Sequence, residues 1–260
     1  MKNARVILTA AVITCIFGIT FYFLWLPPRY VVPILGYHRL GYDSGRLFVT
    51  PENFDKQMAY LKNKGYEVIS LDELIDGIKS AKRLPHKTVV ITFDDGYEDN
   101  YHYAYPILKK YKFPATIFLI ANRIGKTDYI NRDEIKVMSN DNILFGAHTK
   151  EERYLPYIKE KEILWDEIAG SKKVIEEITG KPVNCFSYPS GVFTEEIKKV
   201  VKEARFKGAC TTNKGFSKLN KDVYELKRVK ITNSEMVKPF SYWAKLSGYY
   251  NLFRKGKRPY

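Results

Sequence analysis

The sequence predicts an α/β fold built of βα units around a parallel sheet or barrel, preceded by one N-terminal membrane helix. Three observations carry that expectation. Short runs rich in β-branched and aromatic residues recur along residues 30–232, segments with helical apolar spacing lie between them, and an uncharged apolar run stands ahead of both. The chain has 260 residues, 45% hydrophobic and 15% aromatic, which is enough to bury a full core.

Residues 6–26, "VILTAAVITCIFGITFYFLWL", are apolar and uncharged over 21 positions. As a helix rising about 1.5 Å per residue they span roughly the 30 Å hydrocarbon layer of a bilayer. Lys2 and Arg5 lie in a short stub, residues 1–5, and the positive-inside tendency puts that stub in the cytoplasm and the remainder outside. A cleaved signal peptide is the competing reading. The run is longer than a usual signal core, and no small-x-small site precedes Pro27-Pro28, so an uncleaved anchor is favoured. The expected localisation is membrane-anchored, with the folded domain on the extracytoplasmic side.

Beyond the anchor the candidate strands are "VVPILGY", "TVVITF", "ATIFLI", "NILFGA", "NCFSYP", "KGACTT" and "YELKRVKI". The first helix is marked by Thr50 as N-cap, Pro51 at its first position, Phe54, Met58 and Leu61 on one face, and Gly65 as the stop. Ser70 and Glu73 form a capping box before "LDELIDGI", and "KEKEILWDEIAGSKKVIEEITG" keeps mostly helical spacing up to Gly180. There is no internal repeat, low-complexity linker or second domain. A basic extension, residues 233–260, closes the chain on "FRKGKRPY".

The formal charge of +14 draws the molecule to anionic surfaces without choosing among them, and most of the excess reads as lysines on solvated helix faces such as "EEIKKVVKEA". A basic adaptor for acidic lipid or nucleic acid would need a binding motif beyond the short tail, and none is present, so no nucleic-acid partner is expected. Of three cysteines, Cys15 lies in the membrane run. Cys185 and Cys210 are left either to pair in an oxidising compartment or to stay as buried thiols.

In parallel α/β folds the ligand site lies at the carboxyl ends of the strands. Four ends here are polar: His38, then Asp94-Asp95, then His148, then Tyr188 with Pro189 and Gly191. Adjacent carboxylates repel unless a cation or proton intervenes, which suggests that one binds a metal while the other acts as base. An Asp, a His and a Glu, here one of Asp94 and Asp95 with His148 and Glu152, can supply three ligands and leave a position for water, the arrangement of a catalytic metal site. His102 in the Tyr-rich "YEDNYHYAYP" stretch is a candidate for lining a sugar cleft, against ordinary helix packing.

These residues resemble a known family. "TFDDGY", "HTKEE" and "YPSG" look like the first three motifs of the polysaccharide deacetylases, the NodB-homology domain of carbohydrate esterase family 4, over residues 30 to about 232. The resemblance implies a distorted (β/α) barrel that hydrolyses N-acetyl groups from N-acetylglucosamine-containing polysaccharide of the envelope or an exopolysaccharide, using a divalent metal. Zinc is the first expectation, with cobalt, nickel, manganese or iron as alternatives. It implies Asp94 as general base, Asp95 and His148 as metal ligands, and the Tyr188 backbone N–H as an oxyanion donor. Tyr37, Tyr97, Pro189 and Gly191 are the expected substrate-contacting residues.

Three positions depart from the family pattern. Glu152 stands where a histidine is usual, Ser187 where an arginine is, and the late Leu-x-His motif is missing. In the branch similar to the poly-N-acetylglucosamine deacetylases the acid histidine comes from an early strand ending in Tyr-His, which Tyr37-His38 supplies, and the arginine is also commonly absent. Arg228 in the last strand is a candidate to orient Asp94. The expected chemistry is attack by a metal-activated water with Asp94 as base and His38 as acid. A catalytically inactive polysaccharide-binding protein on the same fold is the alternative.

Overall fold

The chain divides into two units, Met1–Val31 and Val32–Tyr260. Both are taken from a computed structural model that describes residues 2–25, 27, 30–82, 84–212, 220–237 and 239–251. In the first unit α1 (Lys2–Thr20) continues into wider π turns over Phe21–Trp25. Val6–Trp25 is the one helix among the described residues long and apolar enough to cross a membrane, a property that an anchor and a signal sequence share. Leu26, the last residue of the expected span, lies outside the described residues.

The second unit begins with β1 (Ile34–Tyr37), a small ribbon of β2 (Arg39–Leu40) and β3 (Phe48–Val49), then α2 (Pro51–Asn63), β4 (Glu67–Ile69), α3 (Leu71–Lys79) and β5 (Thr88–Phe93). A π turn leads into α4 (Tyr105–Tyr111), followed by β6 (Ala115–Leu119), α5 (Arg132–Ser139), β7 (Ile143–Ala147), α6 (Lys161–Trp165), α7 (Ser171–Thr179) and β8 (Cys185–Ser187). The chain continues with α8 (Glu195–Glu203), β9 (Gly208–Thr211), β10 (Leu226–Lys227), β11 (Val229–Lys230), α9 (Ser234–Val237) and α10 (Pro239–Leu246). The caps act as the sequence implies: Thr50 Oγ1 accepts from the Asn53 N–H at 3.3 Å, and Ser70 and Glu73 form a reciprocal box.

The main sheet is parallel throughout, in the order β10-β9-β8-β7-β6-β5-β1-β11, with β4 beside the first half of β5. β10 pairs with β9 and β11 pairs with β1, so consecutive pieces of one strand bring the two ends of the sheet together into a nearly closed (β/α) barrel. Arg228 is the single residue between them. Strands covered on both faces read as continuous apolar runs, and all six residues of β5 are buried. Outside the barrel, Phe54, Met58 and Leu61 of α2 are fully buried, each contributing roughly 1.5–3 kcal/mol of apolar burial.

The expected strands are all present, "TVVITF" over its full length and the others shorter at their ends, and "YELKRVKI" is broken at Arg228 because its two halves follow different neighbours. β4 escaped the sequence reading because it is three residues long and has no alternation to detect. Tyr242 and Leu246 of α10, placed by sequence in an extension beyond the domain, pack into the same core. Residues 252–260 of that extension lie outside the described residues. Cys185 and Cys210 are buried free thiols.

Candidate active site

The carboxyl ends of β1, β5, β7 and β8 and the β10–β11 break converge on a cavity of about 460 Å³. It is lined by His38, Asp94, Asp95, His148, Glu152 and Arg228, among others. Along β5, alternation points Thr92 and Asp94 to the same side, into the barrel. There Arg228 grips the Asp94 carboxylate with both Nη atoms at 2.7 Å, and its Nη1 also donates to Thr92 Oγ1 at 3.3 Å. Ser187 Oγ donates to Asp94 Oδ1 at 3.2 Å and accepts from Arg228 Nη2 at 3.0 Å. Thus the small side chain at position 187 sits beside a guanidinium that reaches Asp94 from the closing strand instead.

Burial by itself would raise the Asp94 carboxyl, but Arg228, with His148 and His38 nearby, outweighs it and holds the group well below the usual carboxylate range. After Asp94 the chain turns sharply: Asp95 has φ 74° and Gly96 φ 74°, both left-handed. That turn sends the Asp95 carboxylate to His148, whose Nε2 lies 3.4 Å from Asp95 Oδ1. Burial, then the neighbouring Asp94 and Glu152, push Asp95 up to about 7, although His148 opposes the rise. A cavity that gathers the buried Asp94 and Asp95 with the more exposed Glu152 favours a cation.

His148 is prepared for one. Its Nδ1 lies 2.7 Å from the Ser187 carbonyl, an acceptor only, so Nδ1 carries the hydrogen and Nε2 presents its lone pair to the pocket. Glu152, held by its N–H on Thr149 Oγ1 at 2.9 Å with φ 60°, lines the same cavity. Glu151 faces elsewhere, its carboxylate bonded to Asn122 Nδ2.

A tighter Glu98–His102–Glu134 group, with ligand atoms within 4.8 Å of one another, lies among the described residues. It is on the surface, with His102 paired to Glu98 at 3.6 Å and Glu134 committed to capping α5 at Asn131. His102 therefore does not line the cavity.

His38 is 3.7 Å from Asp94 Oδ2. Burial, followed by Arg228, Lys230 and His148, lowers it to about 4, with Asp94 pulling the other way. Its backbone is clamped from the segment after the double aspartate. Asn100 Nδ2 donates to the His38 carbonyl at 2.9 Å and to Asp99 Oδ1 at 2.8 Å, while Asp99 accepts from the Leu40 N–H at 3.1 Å and from Arg39 Nε at 2.7 Å.

Three expectations change. Tyr37 is wholly buried, its hydroxyl on Gln57 Oε1 at 2.9 Å and its ring stacked at 5.2 Å on Phe93, so it supports the site from behind and cannot touch a substrate. The Tyr188 N–H donates to the Cys210 carbonyl at 3.0 Å in the β8–β9 ladder, and its ring packs on Phe193 at 4.8 Å, so that N–H is not available to an oxyanion. Pro189 is buried and off the cavity wall.

Gly191 and Tyr97 do line the cavity, as do Ser190, Thr212, Lys230 and Leu47, which the sequence did not single out. Ser190 has φ 55°, and its N–H makes no hydrogen bond among the described residues. The next residue must be glycine: at φ 68° an added Cβ would lie 2.1 Å from Thr212 Oγ1 and 2.4 Å from its nitrogen.

A profile of the polysaccharide deacetylase family matches residues 81–209. The Bacillus subtilis protein YxkH, assigned by name to those deacetylases, is 32% identical over 201 residues, covering 77% of this chain and 71% of its own. The chain belongs to the polysaccharide deacetylase family.

Accordingly this deacetylase is a de-N-acetylase hydrolase. The Staphylococcus aureus poly-β-1,6-N-acetyl-D-glucosamine N-deacetylase is 29% identical over 199 residues, 71% of this chain and 68% of that one. Among solved structures, the Streptococcus pyogenes deacetylase PplD, in complex with acetate, superposes with a TM-score of 0.76 at 27% identity, covering 83% of this chain and 97% of that one. IcaB from Ammonifex degensii gives a TM-score of 0.73 at 25% identity, over 82% and 97% of the two chains.

Proposed function

We propose that this deacetylase hydrolyses the acetamide of N-acetylglucosamine units in an envelope or exopolysaccharide glycan, with Asp94 as base, His38 as acid and Asp95, His148 and Glu152 as ligands of a divalent metal. One observation carries the reading: an ionised, rigidly held Asp94, a histidine within 3.7 Å of it, and a second histidine 3.4 Å from Asp95 share one cavity at the carboxyl ends of the strands. The donor set suits a hard or borderline cation such as zinc, manganese or cobalt, since two carboxylates and one imidazole are offered. When bound, such an ion polarises the acetamide carbonyl and lowers the pKa of a coordinated water.

The chain's own groups do the remaining work. Arg228 and Ser187 fix the Asp94 carboxylate in one orientation while leaving Oδ2 directed at His38. Asp94 takes the proton from the attacking water as the new C–O bond forms. The Ser190 N–H, in place of Tyr188, receives the developing oxyanion. His38 starts neutral near pH 7, and the proton removed from water is the one it returns to the leaving nitrogen as the C–N bond breaks, giving acetate and an amine. Tyr97 is stacked on Tyr129 at 5.1 Å and lies under Arg39 at 4.3 Å, so it meets the sugar with its hydroxyl edge.

The glycan assignment is supported by the staphylococcal relative and by the early Tyr37-His38 strand end. The test is acetate release by the full chain from β-1,6-linked N-acetylglucosamine oligomers, chitin oligomers and peptidoglycan fragments, alongside bound-metal analysis. Asp94→Asn should keep metal and lose turnover, and Glu152→Ala should lose metal while Glu151→Ala keeps it. Full turnover by Asp94→Asn would remove the base assignment. A filled metal site with no acetate from any glycan would instead favour a binding protein.

A further inference from the structure

The charges around the cavity are matched on one side and not on the other. Arg228 is matched by Asp94, and Arg39, which covers Tyr97, by Asp99 at 2.7 Å. Under the proposed reading a divalent ion matches Asp95 and Glu152, with His148 as its neutral ligand. One charged side chain on the wall is left over, Lys230.

Lys230 ends β11 and pairs in register with Gly36 of β1, close before His38 in the same strand end. Arg228 and Val229 are buried while Lys230 is exposed, so its side chain stands on the rim of the cavity and not inside the barrel. Its carbonyl accepts from Lys245 Nζ at 2.7 Å, which fixes the backbone there, but its own ammonium has no hydrogen bond or ion pair among the described residues. The chain outside the described residues contains no aspartate or glutamate. In the sheet order β1, β5 and β6 stand between β11 and β7, which puts this cation across the cavity from the ligand His148. Its field still reaches the reacting groups, since it is among the charges that lower His38. A glycan lying between the two walls covers the ammonium. A neutral sugar would strip water from the charge and return only hydroxyl oxygens, whereas a phosphate or carboxylate returns a counter-charge and a charge-assisted hydrogen bond.

We infer that Lys230 selects glycans that carry an anionic group, a phosphate or a carboxylate, beside the N-acetylglucosamine whose acetamide reaches Asp94. The inference rests on the deacetylase reading for the placement of that acetamide, and it names the substrate class that the reading leaves open.

Calorimetry on the full, zinc-loaded chain in a neutral detergent gives Kd for a β-1,4 N-acetylglucosamine tetramer, the same tetramer with lactyl ethers on alternate sugars, and the same tetramer with a phosphate monoester. One or both acidic oligomers should bind about five-fold or more tightly than the neutral one at low salt, and which of them does so tells phosphate from carboxylate. The ratio is the readout, not the absolute affinity, because a change at Lys230 also reaches His38. Lys230→Gln should bring the ratio close to one, and Lys230→Glu should make the acidic oligomers the weaker ligands. Equal binding of all three by the native chain would overturn the inference. So would a preference that survives in Lys230→Gln, which would assign it to the basic surface at large. Acetate release and bound metal on the same samples judge the deacetylase reading separately. A preference without acetate keeps the role of Lys230 and removes the reaction, whereas acetate without a preference removes only the role of Lys230.

Discussion

Removing the Arg228 guanidinium tests the centre of the site most directly. The residue is 1% exposed and Asp94 5%, and the two 2.7 Å bonds between them are the strongest the carboxylate makes. In Arg228→Ala only the 3.2 Å bond from Ser187 remains, so a buried carboxylate is left without its counter-charge. Breaking one partner of a buried pair costs about 3–5 kcal/mol. For a folded unit of this size each kcal/mol lowers Tm by roughly 2–4 °C, so a fall of about 6–20 °C is expected. Released from its clamp, Asp94 should also lose alignment, and kcat should drop about 100-fold at a temperature well below the new Tm.

Linkage gives an independent check. In the native chain the folded Asp94 carboxyl lies below its unfolded value, so its contribution is present above the unfolded pKa and is lost as pH falls through the folded one. In the variant, burial dominates and the carboxyl rises. The stability gap between native and variant chains should therefore be largest near neutral pH and narrow as Asp94 protonates in acid. Thermal denaturation of both chains across that range, together with acetate release, reads all three effects. Unchanged melting and unchanged kcat in Arg228→Ala would refute the argument.

Two further outcomes follow from the same geometry. Asn100→Ala removes the bond to the His38 carbonyl, and should cost about 1–3 kcal/mol of stability while lowering kcat more than it raises KM, with bound metal unchanged. An effect confined to Tm would show that the clamp has no role in placing His38. Burial pushes the Cys210 thiol up to about 12 and Cys185 well above its ordinary value, so neither should react with a thiol reagent at pH 9 until the chain is unfolded. Rapid labelling of either in the folded protein would contradict their placement in the barrel.

Much of this molecule was legible in its sequence because the signals are local. An apolar strand that ends in two aspartates and a glycine predicts both a buried β5 and a turn that places carboxylates at the strand end. His38 and His148 were found by the same rule, as polar residues that follow apolar runs. The helix caps at Thr50 and Ser70 needed only three or four neighbouring residues. The apolar run ahead of the domain gave a helix by length and composition alone.

What the sequence could not supply depends on pairing between distant segments. By sequence Arg228 is only a candidate to orient Asp94, and it becomes the partner of that residue, 134 positions away, because the last strand leaves β9 for β1 at that point and turns the side chain inward. Ser187 fits the branch that lacks the family arginine, and only the fold brings the Arg228 guanidinium beside it. The Tyr188 N–H looked available because its hydrogen bond is made to Cys210, on a strand whose register no local pattern reveals. Residue identity at strand ends therefore determined which groups could do the chemistry. The closure of the barrel decided which were charged, which were already hydrogen-bonded and which were left facing the cavity, because those properties come from neighbours across the sheet.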